Sequence, residues 1–206
     1  MLGDEVYREF CYDSGGISPS VYHMKDVDEF AILFDSFSKR YSACGARVGV
    51  VATKNKDVYQ AMLKTATVRL SAPVLEQIGI AACINDGVNE YLKKVNGIYK
   101  ERRDLLVSKI NQIPGAFCPN PEGAFYAMAK LDGVDADDFC KWLLTDFEHN
   151  GATILVSPGN GFYSTPGLGV NEIRMAYVIN TDDLATALDI LHHGVLKYRE
   201  LKGNSA

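Results

Sequence analysis

Ser36-Phe37-Ser38-Lys39-Arg40-Tyr41-Ser42-Ala43-Cys44-Gly45-Ala46-Arg47-Val48-Gly49 is the stretch of this 206-residue chain that decides its reading. Taken alone, a lysine beside an arginine is usually a solvated surface pair. The neighbours change that. Two small hydroxyls, Ser36 and Ser38, precede Lys39, and the small residues from 42 to 46 let backbone approach a ligand closely. A second cation, Arg47, arrives as the next apolar run begins. Hydroxyls with a planar guanidinium are what a phosphate needs. A neighbouring cation also frees a lysine amine to attack a carbonyl. A phosphate beside a carbonyl-reactive lysine points to pyridoxal phosphate.

Composition agrees with an ordinary globular protein, at 47% hydrophobic and 23% charged residues, and excludes disordered, collagenous and coiled-coil classes. Lys+Arg number 21 against 26 Asp+Glu, a net charge of −5, which is the wrong sign for a chain that neutralises nucleic-acid phosphates. No nucleic-acid partner is expected. The most apolar runs, residues 30–34 and 48–52, fall far short of the roughly 20 residues that span a bilayer, so no membrane is expected either. The start, Met1-Leu2-Gly3-Asp4-Glu5, has no basic region before an apolar one, which makes a cytoplasmic location the expectation. Cys11, Cys44, Cys83, Cys118 and Cys140 form no CxxC pair and read as buried reduced thiols. His23, His149, His192 and His193 lack metal-ligand spacing, and no metal is assigned.

Short apolar runs at residues 6–12, 30–34 and 46–53 alternate with turn signals and suit strands buried on both faces of an α/β sheet. Asp57 reads as the N-cap of a helix to about residue 68. From Pro73 a long helical region runs to about residue 113, with Ile84, Val88, Tyr91, Val95 and Ile98 on one face and kinks expected at Gly79, Gly87 and Gly97. The rest reads as α+β: a hairpin at 123–131, a helix at 135–150, a strand at 153–156, a Gly/Pro-rich loop at 157–169, a strand at 172–179, and a helix at 182–202. Asp182 caps that last helix, and Leu184, Leu188 and Leu191 form its buried stripe. With only Met1 and Leu2 upstream of the first strand, the chain is expected to be a piece of a larger protein.

On the 36–49 window, matched at every constrained position through Arg47 and Gly49, the sequence resembles the class I/II pyridoxal-phosphate-dependent aminotransferases of the aspartate aminotransferase fold type. Asp4-Glu5-Val6-Tyr7 resembles the family strand whose Asp pairs with the cofactor's pyridine nitrogen and whose Tyr bonds its 3′ oxygen. Asn171-Glu172-Ile173-Arg174-Met175-Ala176-Tyr177 resembles the late strand whose arginine clamps the substrate α-carboxylate. Pro121-Glu122-Gly123-Ala124-Phe125-Tyr126 and the loop at 157–163 resemble elements that face the active site. Arg69 falls near an arginine that dicarboxylate-specific relatives extend to the neighbouring subunit's substrate, although the residues around it depart from that pattern.

The resemblance implies an α/β fold: the C-terminal part of the large domain of a fold type I PLP-dependent transferase (residues 1–75), a connecting helix (76–113), and a small α+β domain (114–206). It implies pyridoxal 5′-phosphate carried on Lys39, which also moves the substrate proton; ring contacts from Asp4 and Tyr7; a phosphate anchor of Ser36, Ser38 and Arg47; and substrate contacts from Arg174 and Arg69. The substrates would be an amino acid, with aspartate favoured by Arg69, and a 2-oxo acid, and the intact protein a homodimer. Only the C-terminal half of the family's length is covered, so weak cofactor binding and no useful turnover are expected of these residues alone. Two other readings share the residues: a C–S lyase or decarboxylase of the same fold, and a non-catalytic dimerising fragment.

Overall fold

The structure, a computed structural model, describes residues 1–12, 17–85 and 88–203, so the kink expected at Gly87 lies outside the described residues. The chain divides into two compact units, Met1–Gly97 and Ile98–Ala206.

The first unit holds a three-stranded sheet in the order β1 (Leu2–Asp4), β2 (Ile32–Ser36), β3 (Gly49–Thr53). β1 and β2 are parallel with Asp4 opposite Phe34, and β3 is antiparallel to β2 with Gly49 opposite Ser36. The helices α1 (Phe37–Arg40), α2 (Lys56–Arg69) and α3 (Val74–Asn85) follow, and α4 (Val88–Ile110) begins in this unit. Phe37, Val48 and Ile80 form a small core, with Tyr41, Ala46 and Ala72 packed against it.

Several expectations are corrected here. The strand foreseen at 6–12 is a pair of turns, because the buried Glu5 carboxylate accepts hydrogen bonds from Ser20 Oγ (2.8 Å) and Val21 N (2.7 Å) and so draws the chain aside directly after β1. The run at 46–53 forms a strand only from Gly49, a short 3-10 helix occupying Cys44–Ala46. The N-cap of α2 is Asn55, whose Oδ1 accepts from the amides of Asp57 and Val58; Asp57 is in the first turn, where its charge suits the helix dipole. The long helical region is α3 and α4, with Gly79 and Gly97 inside them, and its expected apolar face is largely open: Ile84, Tyr91 and Ile98 are exposed. The strands are not buried on both faces either, since Phe34, Val50 and Val51 are exposed. Three strands flanked by these helices offer too little surface to cover them.

The second unit is an antiparallel sheet ordered β4 (Ala116–Phe117), β5 (Tyr126–Leu131), β7 (Glu172–Ala176), β6 (Ser157–Pro158), with α5 (Ala136–Thr145) and α6 (Thr181–Gly203). Leu184, Leu188 and Leu191 are buried as foreseen, and Phe139 meets Tyr198 edge to face at 5.1 Å. Gly194 lets α6 approach closely, since an added Cβ would stand 3.0 Å from Leu143 and 3.3 Å from Phe147.

The helix foreseen at 135–150 is α5, capped by Asp135, which accepts from Asp138 N, and it stops at Thr145. Asn180, not Asp182, meets the first turn of α6, accepting from Asp183 N at 2.9 Å. No strand forms at 153–156: His149 and Ala152 exchange two backbone bonds across a tight turn through Asn150 (φ 54°) and Gly151 (φ 75°), and pairing with β7 begins only at Ser157. The hairpin foreseen at 123–131 is instead β5 alone, paired with β4 and β7. Cys118 and Cys140 are buried, while Cys44 and Cys83 are exposed, so the buried-thiol reading holds for only part of the set. Among the described residues no helix is long and apolar enough to cross a membrane, and no cluster of three metal-ligating side chains occurs.

Candidate active site

Because β1 and β2 are parallel and β3 antiparallel to them, the ends of β1 and β2 share one sheet edge with the start of β3. Ligands of α/β sheets bind beyond the carboxyl ends of such strands. Asp4 closes β1 and Ser36 closes β2, while Arg47 stands just before Gly49, which opens β3. Asp4 is exposed, and its Oδ1 accepts from Val6 N at 3.3 Å. Tyr7, half-buried in the turn after β1, lies edge to face with Phe10.

Ser36 caps α1 from an extended backbone (φ −146°, ψ 141°), its Oγ accepting from Ser38 N at 3.1 Å. That leaves its hydroxyl hydrogen to donate to an anion. Ser38 and Lys39 follow in the same turn, both half-buried. Arg47 is exposed and takes a left-handed backbone (φ 54°) that residues other than glycine seldom adopt, with one Nη1 hydrogen donated to Cys44 O at 2.9 Å. Gly49 allows β2 and β3 to close at this end, since an added Cβ would lie 3.1 Å from Asp35 O. A carboxylate, a phenol, two hydroxyls, an amine and a guanidinium are thus carried on segments that meet at one sheet edge. The set suits a phosphorylated carbonyl compound with a basic ring nitrogen.

The sequence reading passed over Glu9 and Asp35. Arg40, 9% exposed, donates from Nη2 to Glu9 Oε1 (2.8 Å) and to Asp35 Oδ2 (2.7 Å), and its guanidinium stacks over Phe37. Burial works to lower the Arg40 pKa, but the hydrogen bonds and charges of Asp35 and Glu9 outweigh it and raise it. The signal was present: a charge within an apolar run needs a partner, and Glu9 stands in the run 6–12.

In the second unit, Arg174 is half-buried in β7, opposite Met128 of β5 and Ser157 of β6. Its guanidinium stacks over Tyr126 at 4.7 Å and Phe162 at 4.1 Å. Among the described residues no carboxylate pairs with it. The loop at 157–163 keeps its shape through Gly159, where a Cβ would meet Glu172 O at 2.7 Å, and through the bond from Tyr163 Oη to Glu172 Oε2. Arg69 ends α2, exposed, and lines an apolar cavity of about 630 Å³ with Phe34, Val51, Tyr59 and Met62.

The family model for aminotransferase class I and II matches residues 1–191. An aspartate aminotransferase from Bacillus subtilis is 28% identical over 207 residues, covering 96% of this chain and 49% of the relative. An LL-diaminopimelate aminotransferase from Nitratidesulfovibrio vulgaris is 29% identical over 187 residues, 90% of this chain and 46% of the relative. The fold is shared with the alpha-aminoadipate aminotransferase of Thermus thermophilus, solved with N-(5′-phosphopyridoxyl)-L-leucine, at a TM-score of 0.83 and 20% identity over 97% of this chain and 51% of that one. The chain spans about half the length of the curated relatives it matches. A family model that runs through both units, on a backbone shared with solved aminotransferases, leads to one conclusion: the chain belongs to the aminotransferase class I and II family.

Proposed function

We propose that the chain carries the lysine-bearing part of a pyridoxal-phosphate-dependent aminotransferase, which moves an amino group between an amino acid and a 2-oxo acid. The observation that carries this reading is the placement of Asp4, Ser36, Lys39 and Arg47 on segments meeting at one sheet edge. Pyridoxal 5′-phosphate bound there supplies an electrophilic carbonyl and an electron-withdrawing ring. Lys39 would be the amine that holds the cofactor through its carbonyl carbon, and the group that takes and returns the proton at the substrate Cα. The Asp4 carboxylate keeps the ring nitrogen protonated, and the Tyr7 hydroxyl donates to the 3′ oxygen. Ser36, Ser38 and Arg47 hold the phosphate. Arg174, stacked between two aromatic rings and unclaimed by any described carboxylate, grips the substrate α-carboxylate through both arms of its fork. Arg69 alone favours aspartate or glutamate as donor. In the same reading the complete protein is a cytoplasmic homodimer.

The test uses nitrogen-labelled aspartate, a 2-oxo acid and pyridoxal phosphate with two samples: this chain, and the chain completed by the half of the family's length that it does not span. Label should pass to the 2-oxo acid in the completed protein and hardly at all with the chain alone. Label that stays in a decarboxylated product of aspartate would instead identify a decarboxylase, and brisk turnover by the chain alone would overturn the expected need for the other half.

A further inference from the structure

The ion network around the buried Arg40 joins the two segments on which the proposed cofactor contacts sit. Glu9 lies two residues after Tyr7, Arg40 directly after Lys39, and Asp35 directly before Ser36. One nitrogen, Arg40 Nη2, bonds both carboxylates, so its two hydrogens tie the turn after β1 to the end of β2. Asp35 also accepts from Ser36 N at 2.7 Å through its other oxygen, which extends the tie to the cap of α1. On the far side, Asn96 Nδ2 donates to Glu9 O at 2.7 Å and fixes the backbone that presents Glu9.

A network serving stability alone would be expected to use its polar atoms. This one leaves Arg40 Nε and Glu9 Oε2 buried without a hydrogen bond. Buried ion groups contribute little net stability over apolar replacements, whereas they can fix one geometry against others. The element at stake is α1, a single turn of four residues too short to hold itself. We propose that Arg40, held by Glu9 and Asp35, is a positioning residue that sets where α1 presents the Lys39 amine relative to Asp4 and Tyr7. This rests on the reading of Lys39 as the cofactor-bearing lysine.

Two probes of opposite demand test it on the 206-residue chain. Limiting acetic anhydride acylates any accessible amine, while pyridoxal phosphate followed by borohydride fixes label on a lysine that is held in place; peptide mass reads both. Glu9→Ala should raise the acylation of Lys39 relative to the other lysines and lower its share of trapped cofactor, each by about threefold or more. Glu9→Gln, which keeps an acceptor oxygen, should restore both, with the melting temperatures of parent and variants alike. Loss of fold would move all lysines together; should Glu9→Ala not fold, Arg40→Met, which keeps much of the apolar stem and donates to neither carboxylate, takes its place. Unchanged Lys39 values in the variants, or no recovery with Glu9→Gln, would overturn the proposal. If the parent itself traps no cofactor at Lys39, the enzymatic reading of that lysine fails, while the acylation ratio still decides whether the network places it.

Discussion

Arg174 is a guanidinium between two aromatic rings with no described carboxylate to neutralise it, an arrangement that suits an incoming anion better than a structural ion pair. Arg174→Lys keeps the charge and loses the fork. It should lower the affinity of the completed protein for its amino acid about tenfold or more, read by titration, while changing the unfolding free energy by less than about 1 kcal/mol. A large stability loss would mark Arg174 as structural. At Cys118 and Cys140, burial pushes the thiols from 9.0 up to about 11, with Asp137 adding to the effect at Cys140. The folded state therefore holds these protons more tightly than the unfolded chain does. Their contribution is complete below pH 9.0 and is lost as pH rises to about 11, so stability should fall across that window and fall less in a Cys118→Ala, Cys140→Ala variant. Alkylation near neutral pH should modify the exposed Cys44 and Cys83 and spare the buried pair.

At the scale of the element, α1 decides most. It is held by the Ser36 cap, by Phe37 in the small core and by the Arg40 network. Ser36→Ala should cost about 1 kcal/mol of stability by denaturant titration, and Ser36→Thr should recover most of it. The 36–49 window drew attention to this place in the chain, but neither the helix at Phe37–Arg40 nor its Ser36 cap was read from it. The buried stripe of α6 was legible, because a helical period is local, whereas the caps read at Asp57 and Asp182 belong to Asn55 and Asn180, two residues earlier in each case. What was not legible depended on distant partners. Glu5 ends β1 through contacts with Ser20 and Val21, and no strand forms at 153–156 because the turn at 149–152 precedes it and pairing with β7 begins only at Ser157. Of the two carboxylates that hold Arg40, Asp35 is near in sequence but Glu9 lies 31 residues upstream, a distance no local pattern spans. Gly194→Ala would press on Leu143 and Phe147, so the roughly 1 kcal/mol that alanine usually gains over glycine inside a helix should be lost there, read by denaturant titration.

For the whole molecule, the apolar residues that face water are informative. Val68, Leu70, Val74, Leu75 and Ile78 are each more than 60% exposed, a larger open patch than soluble chains usually tolerate. The chain spans about half the length of its relatives, so this surface is where covering polypeptide is expected. The isolated chain should associate with itself as concentration rises, seen by light scattering, and replacing Leu70, Leu75 and Ile78 by serine should suppress this without lowering the melting temperature. Fold and family were readable at this scale from the order of the motifs alone, whereas the open face was not, since exposure depends on what else is present. The most direct measurement is to mix the purified chain with pyridoxal phosphate, reduce with borohydride and locate the label by peptide mass. Label confined to Lys39 is the expected result, showing that the sheet edge already organises a cofactor site; label scattered over many lysines, or none, would contradict it.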